Sequence, residues 1–194
     1  MCNLYRLEKN PDAIRRLFAD VQITLEFPEG IPNFEPRDIR ITDRAPIVRW
    51  NSERETAELV ERRWSWPAPG GKPVFNMRSD GRNFPKDRCL ALADGFYEYT
   101  ASEDPKQKRK TCWLFKPSTD EPLAIAGLIR PSERVGEAFT LLTVPPGEDI
   151  QPYHNRQIAL LPPASWRAWL DGSAPSLDLL KPLAGGQLSV LEFA

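Results

Sequence analysis

An α+β fold, mostly antiparallel β-sheet with a barrel-like core and a few short helices packed outside, is what this chain predicts. Three observations carry that expectation. Short runs rich in aliphatic, β-branched and aromatic residues recur at roughly regular spacing, with turn residues between them. Few segments show the apolar period of a helix. The 20 prolines are scattered among apolar residues, which speaks for many loops and short elements and against disorder.

Taken in order, Asn10-Pro11-Asp12 reads as an N-cap followed by proline at the first helical position. Ile14, Leu17 and Phe18 follow at helical spacing, so a short amphipathic helix is predicted to about Asp20. Phe27 to Pro36 is proline-rich and irregular. Ile39, Ile41 and Ile47-Val48 suggest short strands broken by Pro46. Glu58 to Trp66 reads as a strand ending at the loop Pro67-Ala68-Pro69-Gly70-Gly71. Further strands are predicted at Arg88 to Thr100, Thr111 to Phe115, Leu123 to Ile129, Phe139 to Val144 and Gln157 to Leu161. Pro162-Pro163 then leads into a helix, Ala164 to Leu170, closed by Asp171-Gly172. No repeat or linker divides the chain, so residues 1–194 are expected to form one domain.

Composition bounds the function. Apolar residues make up 41% and charged residues 27%, as in a soluble globular protein. A net charge of −1 argues against bulk attraction to nucleic acid but permits a local basic groove. The three cysteines (2, 89 and 112) form no CxxC and have no histidine nearby, so neither a zinc site nor a disulfide framework is expected, and a reducing cytoplasm is the natural compartment. No signal segment and no membrane-spanning run is present; no cofactor is implied, and nothing demands more than a monomer. Lys106-Gln107-Lys108-Arg109-Lys110 is read as a solvated hairpin loop, with contact to a phosphate backbone as the alternative.

Cys2 follows the initiator methionine, and a small second residue permits removal of Met1. The chain would then begin with a thiol and a free α-amine on adjacent carbons. The amine can condense with an aldehyde, and the thiol can close on the same carbon to give a thiazolidine; equally, the thiol can act as a nucleophile with its own amine as base. An ordinary frayed terminus is the plain alternative. Three further clusters supply polar groups: Asn76 to Asp80, after Val74-Phe75; the aromatic strand Asp94 to Tyr99, with Glu98 inside it; and Pro152 to Arg156, holding His154, the only histidine. Singly, a strand glutamate is usually solvated and a lone histidine structural. Together they offer an amide, a carboxylate, an imidazole and two guanidinium groups around Cys2.

These residues resemble the SOS response-associated peptidase family, the SRAP domain, whose members protect abasic sites in single-stranded DNA. The matching marks are Met1-Cys2, Asn76-x-Arg78-x-Asp80, Gly95-Phe96-Tyr97-Glu98-Tyr99, and His154-x-Arg156 followed by an apolar strand and Leu161-Pro162. They span most of the chain. The chain departs from the family at Asn3-Leu4, at Trp64-Ser65-Trp66-Pro67, at Gln157-Ile158 and at Tyr99, changes that touch a DNA-contacting surface more than the chemistry. The resemblance implies a compact α+β domain built round a barrel-like sheet, with the active site in a groove. It also implies a covalent trap for an abasic deoxyribose, with Cys2, Asn76, Glu98 and His154 catalytic. Glu98 would stand beside the Cys2 amine, His154 would serve ring opening and reversal, and Asn76 would orient the sugar or amine. Arg78 and Arg156, with Arg6 nearby, would grip phosphates. Trp64, Trp66 or Tyr99 would stack on a base, core packing being the alternative for the two tryptophans. An N-terminal-nucleophile peptidase that removes its own Met1, and a non-catalytic single-strand binding module, are the other classes open at this point.

Overall fold

The structure, a computed structural model, describes residues 2–102, 106, 109–119 and 123–193. The N-terminal half contains β1 (Leu4–Leu7), α1 (Pro11–Asp20), β2 (Leu25–Glu26), β3 (Arg37–Arg40), β4 (Arg44–Asn51), β5 (Thr56–Trp64), β6 (Trp66–Pro67), β7 (Pro73–Val74) and β8 (Asn76–Arg78). The longer central strands are β9 (Arg88–Ala93), β10 (Gly95–Thr100), β11 (Thr111–Pro117), β12 (Leu123–Arg130) and β13 (Ala138–Val144). β14 (Gln157–Ile158), β15 (Leu160–Leu161), α2 (Trp166–Leu170), α3 (Ser176–Leu179) and β16 (Leu188–Phe193) complete the chain.

Five strands form one sheet in the order β16-β11-β10-β1-β3, and a larger sheet runs β14-β13-β12-β9-β4-β5-β2. A parallel pairing of β13 with β5 closes β5, β4, β9, β12 and β13 into a ring. The pairing is otherwise mostly antiparallel, so the α+β expectation holds in a ring-like form. Side chains alternate across a strand, and here each direction has its own core. Ile47, Ala91, Ile125 and Leu141 face a core shared with Tyr5, Ile39, Phe96 and Phe115 of the smaller sheet. Val48, Leu90, Ala126 and Leu142 face the helices. α1 starts as its sequence dictates, with the Asn10 side chain accepting from the Ala13 N–H at 2.9 Å and Pro11 in the first turn. Its Phe18 packs on Trp166 of α2 at 5.0 Å between ring centroids. Both α2 tryptophans are fully buried with their indole N–H groups bonded, Trp166 to the Leu161 carbonyl and Trp169 to that of Cys89. Each such burial stabilises by about 1.5–3 kcal/mol or more.

The structure revises two expectations. Pro46 does not break its strand: β4 runs through it, opposite Glu61 on β5. Pairing of β4 with β9 begins only at Ile47, so the proline sits where β4 has a partner on one side. Arg88 to Thr100 is two strands in different sheets. The chain turns at Asp94, whose carboxylate accepts from the backbone N–H groups of Glu8 and Lys9 and pairs with the Lys9 ammonium. Gly95 is required just after the turn, because a Cβ there would lie 2.8 Å from the Phe115 carbonyl oxygen. The segment after Phe75, which no sequence signal assigned to an element, is a strand, β8, laid parallel on β13. Lys106, Arg109 and Lys110 are exposed between β10 and β11, as a hairpin loop requires, while Gln107 and Lys108 lie outside the described residues.

Candidate active site

β10 alternates Phe96, Glu98 and Thr100 on one side with Tyr97 and Tyr99 on the other. Phe96 lies in the shared core, and Glu98 follows on the same side with only 1% of its surface exposed. It is met by Cys2, itself 1% exposed, whose backbone N–H donates to the Glu98 carboxylate. Burial raises that carboxyl to about 6, partly offset by the positive amino terminus and by the Cys2 hydrogen bond. The Cys2 thiol donates to the Leu4 carbonyl at 3.2 Å. Burial, and next the Glu98 charge, push the thiol up to about 12, so it is held protonated. Asn76, at the start of β8, fixes the other end of the residue: its Nδ2 donates to the Cys2 carbonyl at 2.7 Å. The Asn76 Oδ1 is buried and without a partner among the described residues.

His154 sits on a tight turn in which the N–H groups of Tyr153 and His154 both donate to the Ile150 carbonyl. Its Nδ1 lies 3.0 Å from the Arg156 N–H, from which it accepts, and 2.9 Å from the Arg156 carbonyl, to which a protonated ring donates. The turn therefore supports either protonation state. Burial and then the positive amino terminus lower its pKa, against the Arg156 contact; the charge effect places the imidazole near the start of the chain.

Arg78 and Asn76 share one side of β8, and Arg78 is exposed, with no ion pair among the described residues. The other proposed DNA contacts are placed differently. Arg156 is 8% exposed and forks onto Asp80, with Nη1 2.9 Å from Oδ1 and Nη2 2.8 Å from Oδ2. Its Nη2 also donates to the Thr143 carbonyl at 2.7 Å. It is a buried strut tying the His154 turn to β13 and the β8 segment. Trp64 and Trp66 are core residues, 0% and 2% exposed. The Trp64 indole N–H donates to the Phe75 carbonyl at 2.9 Å, and the Arg130 guanidinium covers Trp66. Neither presents a face to a base. Arg6 is held by Asp38 at 3.0 Å and lies over the Tyr97 and Phe193 rings. Tyr99 stands opposite Cys112 and bonds to it. The pleat puts both on the side of the sheet away from Glu98.

The aromatic surface beside Glu98 is one the sequence did not single out. Trp113 stands opposite Glu98 in the β10–β11 ladder and donates its indole N–H to Thr100 Oγ1 at 2.8 Å. Its ring meets Tyr153, the neighbour of His154, edge-on at 4.9 Å. Both rings are half-buried. The described residues hold no cluster of three or more His, Cys, Asp or Glu suited to a metal, and no helix long and apolar enough to cross a membrane.

A family model described as SOS response associated peptidase (SRAP) matches residues 1–193. Among solved structures, the chain is similar to a protein from Bordetella bronchiseptica at 21% identity and a TM-score of 0.74, over 100% of both chains. It is similar to a phage-related protein from the same organism at 20% identity and a TM-score of 0.75, over 99% of this chain and 94% of that one. A protein from Bacteroides thetaiotaomicron is 14% identical with a TM-score of 0.75, over 100% of this chain and 92% of the other. At such identities these likenesses establish the fold. No curated protein matches the sequence.

Proposed function

The chain belongs to the SOS response associated peptidase family, which supports a role tied to DNA damage, and from that premise we propose that it traps abasic sites in single-stranded DNA covalently through Cys2. The observation that carries this reading is the position of the Cys2 nitrogen on the Glu98 carboxylate, with the Cys2 carbonyl pinned by Asn76. Once Met1 is removed, that nitrogen is the α-amine. Burial narrows the gap between the carboxyl and an α-amine from roughly 3.5 pKa units to roughly 2. Glu98 is then a workable acceptor for the proton that the ammonium must lose before it attacks.

The open-chain aldehyde of the lesion takes the amine at C1′, and the carbinolamine loses water to leave an iminium. His154 gives a proton to the ring oxygen and takes one from the anomeric hydroxyl as the sugar opens, and it then protonates the departing hydroxyl of the carbinolamine. The thiol stays neutral until the iminium forms. The positive charge then favours thiolate at the same carbon, the thiol proton passes to the neutral imidazole that His154 became on protonating the hydroxyl, and the C–S bond closes the thiazolidine. The sum is aldehyde, amine and thiol giving ring and one water. Asn76 Oδ1 offers a buried acceptor for a sugar hydroxyl. Arg78 takes a phosphate, and the Trp113–Tyr153 surface replaces the two tryptophans as the place for a flanking base. A peptidase would need the amine to draw the thiol proton with no positive charge on the carbon under attack, which the burial of the thiol opposes.

The test is a denaturing gel of tag-free protein with single-stranded DNA carrying one abasic site. A band that survives denaturation, lost on Cys2→Ala and lost when a tag precedes Cys2, is the expected result. Crosslinking by Cys2→Ala as strong as by the parent protein would sink the proposal. Cleavage of a peptide without crosslinking would favour the amidase.

A further inference from the structure

Across β8 from Asn76 and Arg78, Met77 points to the opposite side and lines an apolar slot of about 240 Å³ with Trp66, Phe84, Leu128 and Ile129. The slot is smaller than the ~300–1,000 Å³ of sites for drug-sized ligands, and suits a single planar ring system. Its rim is cationic. Lys86 and Arg130 line it and are exposed. The Arg130 guanidinium lies 3.9 Å from the centroid of the buried Trp66 ring, so Trp66 holds it at the mouth. Arg78, Arg82 and Lys86 are exposed in turn along the chain leaving β8. Of the nearby acids, Asp80 is taken by Arg156, and Asp87 alone remains in the lining. An apolar slot beside a row of cations is complementary to a base and its phosphates. With Trp66 buried under Arg130, the half-buried Phe84 ring offers the stacking face and Met77 and Leu128 offer contact, which tolerates any base. Met77 and its neighbours Asn76 and Arg78 stand on opposite faces of β8, so a strand that reached both the slot and Cys2 would pass over that element.

We propose that this slot holds a nucleobase of the strand whose lesion reaches Cys2, next to the phosphate that Arg78 grips. The inference rests on the single-strand reading of the site. It makes the footprint larger than the lesion and its immediate neighbours, and wraps the strand over the free edge of β8.

The experiment uses labelled single strands carrying tetrahydrofuran in place of the abasic sugar, which has no aldehyde and cannot condense. Binding is followed by anisotropy while the strand is shortened one nucleotide at a time from each end. For the parent protein, removal of one particular nucleotide should weaken binding about tenfold, the scale of one stacked base. Arg130→Glu and, separately, Lys86→Glu should each weaken binding of the long strand and erase that step. Two charge reversals are used so that misfolding of one leaves the other. Variants whose truncation series follow the parent step for step overturn the slot. Crosslinking to true abasic DNA is scored apart: a truncation step without crosslinking sinks the trap and leaves the slot, and crosslinking without a step does the reverse.

Discussion

Glu98 and Glu58 are both strand carboxylates withdrawn from water, 1% and 7% exposed, yet their surroundings push them in opposite directions. Burial works against ionisation in both. At Glu58 it is outweighed by Asn51 Nδ2 at 2.7 Å and Arg49 Nε at 2.9 Å, and the carboxyl ends below its usual range. Arg49 is itself shared with Glu137, which also pairs with Arg62, and Arg62 with Glu29. Glu58 is thus one member of an ion-pair network, compensated several times over. Burial wins at Glu98, whose offsetting contacts are the amino terminus and the Cys2 N–H. A carboxylate neutralised by arginine holds a sheet together. One whose contacts are a terminal amine and its neighbour is left able to exchange a proton.

The sharpest way to break this contrast is to neutralise each in turn. Glu98→Gln should slow formation of the abasic-site adduct by about 10²–10⁴-fold, since an amide cannot exchange the proton. Glu58→Gln should leave the rate unchanged. Equal effects in a crosslinking time course would erase the distinction. On the proposed mechanism, in which the histidine serves both directions, His154→Ala should slow both formation of the adduct and its release into excess unlabelled abasic DNA. Release at the parent rate would give His154 a structural role.

Stability should invert the order. Glu58→Gln should cost about 1–3 kcal/mol at pH 7 in denaturant titration, since Arg49 and Asn51 lose a buried partner. The Glu58 carboxyl sits below its unfolded value near 4.5, so its contribution is present above that pH and is lost as pH falls through the lower folded value. Glu98 sits above its unfolded value. In protein retaining Met1, stability should fall as pH rises from about 4.5 through about 6 while the buried carboxyl ionises, and Glu98→Gln should remove that fall, a gain of up to about 2 kcal/mol at pH 7. A parent protein whose stability is flat over that window would refute the burial argument.

The smallest expected effect separates the two arginines. Arg78→Ala should reduce the log–log salt slope of single-strand binding by about 0.7, the loss of one phosphate contact. Arg156→Ala should leave the slope alone and lower stability, because its charge is spent on Asp80 and Thr143. A slope change in Arg156→Ala alone would reverse these assignments.

Some of this was legible in the chain. Asn10-Pro11 carries its own cap and a helical period follows it, so α1 is readable from local chemistry. β11, β12 and β13 are readable for the same reason. The corner at Asp94 is not, because its cause is a carboxylate meeting the backbone of Glu8 and Lys9, more than eighty residues away. Trp113 was within a predicted strand, but its place opposite Glu98 depends on a hairpin register that the charged sequence between Thr100 and Thr111 does not reveal. The tryptophans at 64 and 66 and the arginine at 156 look alike in sequence whether buried or exposed, and only their neighbours decide.

The sequence by itself determined which elements form and which reactive groups the chain owns: a thiol on the second residue, an isolated strand glutamate, one histidine, and the Asn76 amide among the several the chain carries. Those follow from local propensity and from the chemistry of single side chains. Tertiary structure alone decided which of them meet. It laid the Cys2 nitrogen on Glu98 and the Asn76 amide on the Cys2 carbonyl. It also withdrew Arg156, Trp64 and Trp66 into the fold. Proximity and desolvation are properties of packing across distant strands, and no short stretch of chain encodes them.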